Sequence, residues 1–460
     1  MMKKFMLAVV GGMFFSGLNV LQAQQENFTV PEFDWVATAA GKLHDKVRCI
    51  CTDPQGNIFL TGEFTGTTTF GTHVLESAGG MDFFVAKVDP NGKFLWVKSG
   101  GGDKIDRGYG VCADQQGNCY VTGHYQSAEA TFDGRKISNQ GDYDIFIAKY
   151  DPTGKLLWLK HGGGKGYDYG HGIAVNDSGN VFVTGAIVGD GLMDGVTIGS
   201  DGPAHVFCTM LNTDGKIIWN QVASGKGSSS GHGVAVDKQG KCYVGGHTGG
   251  AGTFAGKTLA NVSGRDVLIA CLDSRGKLEW LHEGRGSGPM IHEIACDSKG
   301  NVWASGMFKG EWKLPEKTVP SAGDSDILLM HLDARGNLKW TKSAGGKGID
   351  YGLGIVADEE GNSYLCGSFQ ATMLFEGAEK TSTGGGDIYV ASFDSKGALK
   401  WFTQVQGKST DHAYTIARDS SGNLFFSGAC SGPATFGKHT IPNQGSNDIY
   451  LAKIRSPKKK

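Results

Sequence analysis

Residues 144–160 read DIFIAKYDPTGKLLWLK, and this stretch has the pattern of a β-hairpin. Alternating apolar residues lie on both sides of the four residues Asp151 to Gly154. An Asp at the start of such a turn accepts hydrogen bonds from the following backbone, and a Gly at its end adopts positive φ without a Cβ clash. The stretch therefore predicts two antiparallel strands joined by a tight turn.

The same hairpin recurs along the chain with a period of about 61 residues. A tryptophan marks its last strand in each copy: Trp35, Trp96, Trp158, Trp219, Trp280, Trp340 and Trp401. A second hairpin, VCADQQGNCYVTG at residues 111–123, ends on a glycine with the same period: Gly62, Gly123, Gly185, Gly246, Gly306, Gly367 and Gly428. Four strands per repeat and seven repeats predict an all-β, seven-bladed β-propeller with four-stranded blades.

The two ends of the repeat region complement each other. The last copy ends at Asp448–Ile454 without its Trp strand, and an orphan Trp strand, EFDWVATA, lies at residues 32–39. Pairing them would complete the seventh blade and leave no long free edge. We therefore expect one propeller domain over residues 33–455, preceded by a linker at residues 24–32.

Several of these segments resemble the bacterial seven-bladed β-propeller (SBBP) repeat family. They are DIFIAKYDPTGKLLW, DYGHGIAV, DSGNVFVTG and PATFG, and the resemblance extends over nearly everything after residue 23. It implies the propeller fold. It implies little about activity, because the family is a scaffold class.

Charge and the N-terminal residues bear on partners and location. The formal net charge is −2, so the chain lacks the basic surface of a nucleic-acid-binding protein. Residues 1–23 have a charged start, an apolar run and a small-residue cleavage site, which predicts a signal peptide. We expect an exported monomer that does not span the membrane, is periplasmic, cell-surface or extracellular, and ends in a basic tail at residues 456–460.

One column of carboxylates lies at the entry to the first strand of most repeats. The column reads Asp45, Asp106, Asp168, Ser229, Pro289, Asp350 and Asp411. A repeated loop needs an acceptor for its backbone amides, and this is the structural interpretation. The alternative is a ring of negative charge at the channel mouth that attracts a cation such as calcium.

Three residues further on, the copies differ in a way that a blade does not require. That column reads Arg48, Tyr109, His171, His232, His292, Leu353 and Tyr414, with Glu293 next to it where Gly is usual. The histidines of three consecutive repeats, His171, His232 and His292, would suit a divalent metal ion, which is the only cofactor that the sequence suggests. The same column, with Glu293, could form a ligand pocket in which Arg48 meets a carboxylate. It could also be simple channel lining.

The ten cysteines mostly occupy strand positions where other copies have small or apolar residues. Cys112 and Cys119 differ, because a four-residue turn would set them opposite each other in one hairpin. A disulfide between them is the hypothesis that this spacing suggests.

The sequence therefore favours a binding scaffold that engages a protein or a glycan through its loop-rich face. Polysaccharide lyase or hydrolase activity at the histidines of the mouth is the alternative, and a purely structural or adhesive role is the third. No residue can be assigned a catalytic role from sequence, and an enzyme is the less expected outcome.

Overall fold

The computed structural model describes residues 30–260, 264–313 and 318–455. Across these ranges the chain forms β-strands and turns and no helix, so the all-β prediction is confirmed. It follows that none of the described residues forms an apolar helix able to cross a bilayer. The expected signal peptide, the first part of the expected linker (residues 24–29) and the basic tail lie outside the described residues.

The strands pair antiparallel in groups of four, which we call units 1 to 7. Units 1 to 4, each from first to fourth strand, are Lys46–Thr52, Ile58–Phe70, His73–Val88, Phe94–Gly101; Asp106–Ala113, Cys119–Tyr125, Asp144–Tyr150, Leu156–Gly163; Tyr169–Val175, Val181–Gly189, Ser200–Leu211, Ile217–Val222; and Ser230–Val236, Cys242–Thr248, Asp266–Leu272, Leu278–Cys296. The last of these strands runs on into unit 5. Units 5 to 7 are Leu278–Cys296, Val302–Lys313, Asp326–Leu332, Leu338–Gly346; Tyr351–Ala357, Ser363–Phe369, Asp387–Phe393, Leu399–Gly407; and Asp411–Arg418, Leu424–Cys430, Asp448–Ile454, Phe33–Gly41.

The units are arranged in a closed order. The first strand of each unit contacts the first strand of the next, and the first strand of unit 7 contacts that of unit 1. The fourth strand of unit 7 comes from the start of the described chain, because Phe33–Gly41 pairs with Asp448–Ile454. The hydrophobic core lies between consecutive units: Phe59 and Phe83 of unit 1, for example, pack with Val121 and Phe146 of unit 2.

Short strands connect neighbouring units. In units 2, 3, 6 and 7 the segment between the second and third strands forms a hairpin that pairs with the fourth strand of the preceding unit. The short strands are Glu129–Phe132, Arg135–Ser138, Leu192–Met193, Val196–Thr197, Ser224–Gly225, Gly252–Phe254, Lys257–Thr258, Thr318–Pro320, Thr372–Phe375, Ala378–Thr381, Ala434–Phe436 and His439–Ile441. Much of each of these segments is therefore used in pairing between neighbouring units.

Each tryptophan strand also fastens one unit to the next. The indole N–H of Trp96 donates to the carbonyl of Pro152 in the turn of the following unit, at 3.1 Å. Gly154 in that turn has φ of 85°, and a Cβ there would lie 2.9 Å from the Trp96 ring. Trp35 donates in the same way to Pro90 and so connects unit 7 to unit 1. The period of the tryptophans thus reflects packing between units.

Candidate functional site

A β-bulge in every first strand leaves one residue without a cross-strand partner. In unit 1, Val47 pairs with Gly62 and Cys49 pairs with Thr61, so Arg48 is left without a cross-strand partner. The same shift occurs in all seven units. A bulge bends the strand and re-aims the extra side chain. The column predicted from Arg48 to Tyr414 consists of these bulged residues.

The periodic glycines of the second strands make the bulge possible. At Gly62 an added Cβ would lie 1.9 Å from the carbonyl oxygen of Lys46, two residues before the bulge. The six equivalent glycines face the same carbonyl at 1.9–2.0 Å. No side chain fits into that space, so this glycine series serves the geometry of the site as well as the sheet.

The seven bulged side chains line one cavity of about 320 Å³. Glu293, Cys49 and Ile173 also line it. Ligand pockets are usually about 300–1,000 Å³, so the cavity is large enough for a small ligand or one residue of a larger one. A second cavity, of about 360 Å³, is lined mainly by small and aliphatic residues of the same first strands, and it shares these three residues.

An aromatic arc forms much of the cavity wall. The rings of Tyr109 and His171 are 4.8 Å apart, as are those of His171 and His232, and His292 follows at 6.1 Å from His232. The guanidinium of Arg48 lies 4.8 Å from the centre of the Tyr109 ring and 6.0 Å from that of Tyr414. Six of the seven predicted column residues therefore form a continuous arc, and the buried Leu353 is the apolar member of the ring.

Arg48 is already paired inside the protein, contrary to the expectation that it meets a ligand carboxylate. Its Nε and Nη2 donate to the carboxylate of Glu63 at distances between 2.7 and 3.0 Å. Glu63 is fully buried. Burial alone would raise the pKa of Glu63, but the adjacent Arg48 holds that pKa well below its usual value. The two groups form a compensated ion pair in the cavity wall.

The three histidines are neutral at pH 7. Burial lowers the pKa of His171 to about 3, although its hydrogen bond to the His232 carbonyl acts in the opposite direction, and burial lowers the pKa of His292 to about 4. Burial moves the pKa of His232 in the same direction. Nδ1 of His171 is 3.0 Å from the carbonyl oxygen of His232, which only accepts, so Nδ1 carries the proton and Nε2 is the acceptor.

The arrangement of the histidines does not support the metal hypothesis. The described residues contain no group of three or more His, Cys, Asp or Glu side chains placed to bind one metal ion. The rings of His171 and His232 meet edge to face at 76°, and Nδ1 of His171 is used in the bond to the backbone. Both ring nitrogens of His232 and Nε2 of His292 are buried without a hydrogen-bond partner among the described residues.

Glu293 is the acidic group in the cavity with no cationic partner among the described residues. Its Oε1 accepts a hydrogen bond from the amide of Ile294 at 3.0 Å, and a Cβ at Gly233 would lie 2.8 Å from the same oxygen. Burial raises the pKa of Glu293 to about 7. The side chain therefore lies against the glycine of the neighbouring unit and exchanges a proton near neutral pH.

The five aspartates of the predicted ring are structural. Asp45, Asp106, Asp168, Asp350 and Asp411 are fully buried, and none of them lines the cavity. Asp106, for instance, accepts hydrogen bonds from the amides of Gly102 and Gln126 and from the hydroxyl of Ser127. These carboxylates organise the loops that lead into the first strands, so the calcium interpretation has no support in the geometry.

The predicted disulfide is wrong. Cys112 is opposite Tyr120 and Cys119 is opposite Ala113, so the two cysteines are not a cross-strand pair. They point to opposite faces of the sheet, because Cys112 packs between units 2 and 3 and Cys119 packs between units 1 and 2. All ten cysteines are free thiols.

Sequence reasoning missed residues of the second strands that contact the bulged column. Glu63, His124 and His247 each follow the periodic glycine of their unit, where the other units have Ala, Met or Ser. The stacked rings of His232 and His247, 5.4 Å apart, show that this position supports the bulged column. The residue after the periodic glycine differs between the repeats, and this variation could have identified the position from sequence.

Comparisons with known proteins are consistent with this description. No protein-family model matches the chain, so membership of the SBBP family stays a prediction. An uncharacterized WD repeat-containing protein of Acanthamoeba polyphaga mimivirus is 22% identical over 433 residues, covering 76% of this chain and 31% of that protein. The regulatory protein FlaEY of Caulobacter vibrioides is 27% identical over 139 residues, covering 29% of this chain and 14% of that protein. The chain thus spans less than a third of either relative.

Two solved structures align with most of this chain at low similarity. A gluconolactonase from Xanthomonas campestris has a TM-score of 0.35 and 12% identity, with 76% of this chain and 86% of that chain covered. A mutant apocarotenoid oxygenase from Synechocystis has a TM-score of 0.41 and 10% identity, with 94% and 95% covered. These scores assign no chemistry to this chain. The WD-repeat relative and the closed order of four-stranded units together indicate a β-propeller repeat protein.

Proposed function

We propose that this protein is an exported, seven-bladed β-propeller of the SBBP type that binds a protein or glycan ligand at the mouth of its central channel. In this proposal the seven units are the blades and Phe33–Gly41 completes the seventh. Export rests on the signal-peptide pattern of residues 1–23.

The convergence of the bulged residues on one cavity is the observation that carries the proposal. The fold does not require a polar or aromatic side chain at the bulge, because unit 6 has Leu353 there. Buried polar groups are normally hydrogen-bonded, so the orphan nitrogens of His232 and His292 indicate that water or a ligand satisfies them. A neutral imidazole offers one donor and one acceptor, which suits hydroxyl or amide groups.

Filling the cavity tests this proposal. Leu353→Trp would place an indole in the cavity, and Leu157→Trp makes the same change at an exposed site on a fourth strand. Wild type and both variants would be titrated with soluble neutral polysaccharides, acidic polysaccharides, gelatin and mucin. We expect at least one probe to bind wild type and Leu157→Trp and to lose affinity at least about tenfold for Leu353→Trp. Equal binding by all three proteins, or no binding of any probe, would refute a ligand site at the mouth.

A polysaccharide hydrolase is the second candidate, and Glu293 is the observation that favours it. A carboxyl in a cavity with a pKa of about 7 has the proton affinity that a general acid needs. Glycosidases usually pair such an acid with a second carboxylate. The carboxylate of Glu63 does not supply that second group, because it is already held in its ion pair with Arg48. Release of reducing ends by wild type but not by Glu293→Gln would establish the enzyme. No release from any bound polysaccharide would leave the binding function alone.

A further inference from the structure

An aromatic platform lies beside the cavity, outside the column of bulged residues. It consists of Tyr143, Tyr167 and Tyr169 around the buried His124. The rings of Tyr143 and Tyr167 are 4.3 Å apart at 47°, and those of Tyr167 and Tyr169 are 5.5 Å apart at 73°. The platform is joined to the cavity wall, because His124 contacts Tyr109 at 5.2 Å.

Contacts with neighbouring side chains and backbone fix the position of the platform. His124 has its ring 4.8 Å from that of Tyr143 and 5.6 Å from that of Tyr167. The backbones of these two tyrosines form an isolated bridge between units 2 and 3. The hydroxyl of Tyr169 is 2.8 Å from that of Ser230. A rigid aromatic surface costs little conformational entropy when a ligand binds.

The exposed part of the platform has no structural task. Tyr167 is 40% exposed, and among the described residues it is the one aromatic side chain in the group of exposed large apolar residues. The hydroxyls of Tyr143 and Tyr167 have no hydrogen-bond partner within the described ranges. Core packing therefore does not account for two adjacent tyrosines with free hydroxyls at the edge of a cavity.

Part of the charge around the mouth is compensated inside the protein. Arg48 is paired with Glu63, and the amine of Lys46 lies over the Tyr414 ring at 3.8 Å. The three histidines of the wall are neutral. The remaining ionisable groups at the site have opposite signs: burial raises the pKa of Glu293 to about 7 and lowers that of Lys46 to about 7. The site therefore presents no large charge of one sign to an ionic ligand. It offers ring faces, neutral imidazoles and phenol hydroxyls, with the guanidinium of Arg107 near the platform as an additional donor.

We propose that the ligand of the mouth is an uncharged glycan, with one sugar ring stacked on the Tyr143–Tyr167 platform and the adjoining sugar in the cavity. Sugars have C–H faces that pack on aromatic rings, and their hydroxyls both donate and accept hydrogen bonds. Those two properties match the platform and the orphan imidazole nitrogens of the cavity. This inference rests on the proposed ligand site, and it narrows the ligand class from protein or glycan to neutral glycan.

Substitution of the exposed tyrosine tests the platform. Tyr167→Ala removes the stacking surface, Tyr167→Phe keeps it, and Leu157→Ala is a control at a residue with the same 40% exposure on the outer strand of unit 2. Calorimetric titrations would use hexasaccharides of neutral glucans, xylans and mannans, with polygalacturonate, alginate and gelatin as charged or protein probes. Thermal unfolding of each variant would be measured in parallel.

We expect a neutral hexasaccharide to bind wild type, Tyr167→Phe and Leu157→Ala with similar affinity and Tyr167→Ala about tenfold more weakly. Binding of an acidic polysaccharide or gelatin instead, lost in Leu353→Trp, would overturn this inference and leave the ligand site at the mouth intact. Neutral-glycan binding that Tyr167→Ala leaves unchanged would overturn the platform. Failure of every neutral hexasaccharide to bind would overturn the glycan assignment.

Discussion

Replacement of Glu63 by Gln should expose how strongly the wall of the mouth depends on one ion pair. The side chain of Glu63 is fully buried and that of Arg48 is 21% exposed. Gln keeps the shape and one acceptor oxygen, but it leaves the guanidinium without a counter-charge. Removing one partner of a buried ion pair costs about 3–5 kcal/mol. Because Arg48 keeps some solvent and one hydrogen bond, we expect about 3 kcal/mol.

Urea unfolding followed by tryptophan fluorescence measures this cost. At about 2.1 cal/mol/K per residue, a propeller of roughly 420 residues has an unfolding entropy near 0.9 kcal/mol/K, so Tm should fall by about 3 °C. Glu129→Gln is the matched control, because the Glu129–Lys136 pair is exposed on both sides and such pairs contribute at most about 1 kcal/mol. The double variant Arg48→Met/Glu63→Met should recover most of the loss, since an apolar pair leaves no buried charge.

The stability contributed by the Arg48–Glu63 pair should depend on pH with a definite sign. The pKa of Glu63 is lower in the folded protein than its usual value of 4.5, so its contribution is complete above that value and is lost as the pH falls below it. The difference between wild type and Glu63→Gln should therefore be constant from pH 8 to about 5 and should shrink below about 4.5. A cost below 1 kcal/mol at pH 7, or a difference that grows on acidification, would refute this account of the pair.

Four further outcomes follow from the structure. Gly123→Ala should destabilise by at least about 3 kcal/mol, because its Cβ would lie 1.9 Å from a strand carbonyl, whereas Gly164→Ala, with 3.4 Å to its nearest neighbour, should change urea stability little. Trp340→Phe loses the indole bond to Ser395 and should cost about 1 kcal/mol in the same assay. Denatured protein should titrate as ten thiols, and an intact mass two daltons lower would reveal a disulfide. Glu293→Gln should gain stability relative to wild type as the pH rises from 4.5 to 7, by about 1–3 kcal/mol, because the raised pKa of Glu293 penalises its charged form; a flat difference would contradict a buried, uncompensated carboxyl.

Features repeated in every copy were predictable from sequence. The hairpin turns follow from Asp and Gly at fixed positions: in the first, Asp53 accepts from the amides of Gln55 and Asn57, and Gly56 has φ of 79°. The pairing of Phe33–Gly41 with the last strand followed from one surplus and one missing Trp strand. A single strand is hard to predict from sequence, but the same turn residues and strand pattern repeated seven times make the prediction secure.

The site was only partly predictable, because register cannot be read from composition. The variable column from Arg48 to Tyr414 marked the right positions, but the bulge that aims them at the axis is a property of strand pairing. The disulfide hypothesis failed for the same reason, since a shift of one residue moves Cys112 and Cys119 to different faces. The role of Glu63 depended on a neighbour 15 residues away on another strand.

The pairing of Phe33–Gly41 with Asp448–Ile454 also has a consequence in time. The first described strand to be synthesised must wait for about 400 further residues, which at about 5–20 residues per second is about 20–80 seconds. Until then this strand lacks the partner with which it pairs over most of its length, and only Ala39–Gly41 can pair, with the second strand of unit 1. Its remaining edge is open to other chains. Synthesis of Asp448–Ile454, rather than folding of any one unit, therefore sets the earliest moment at which the closed order of the units can form.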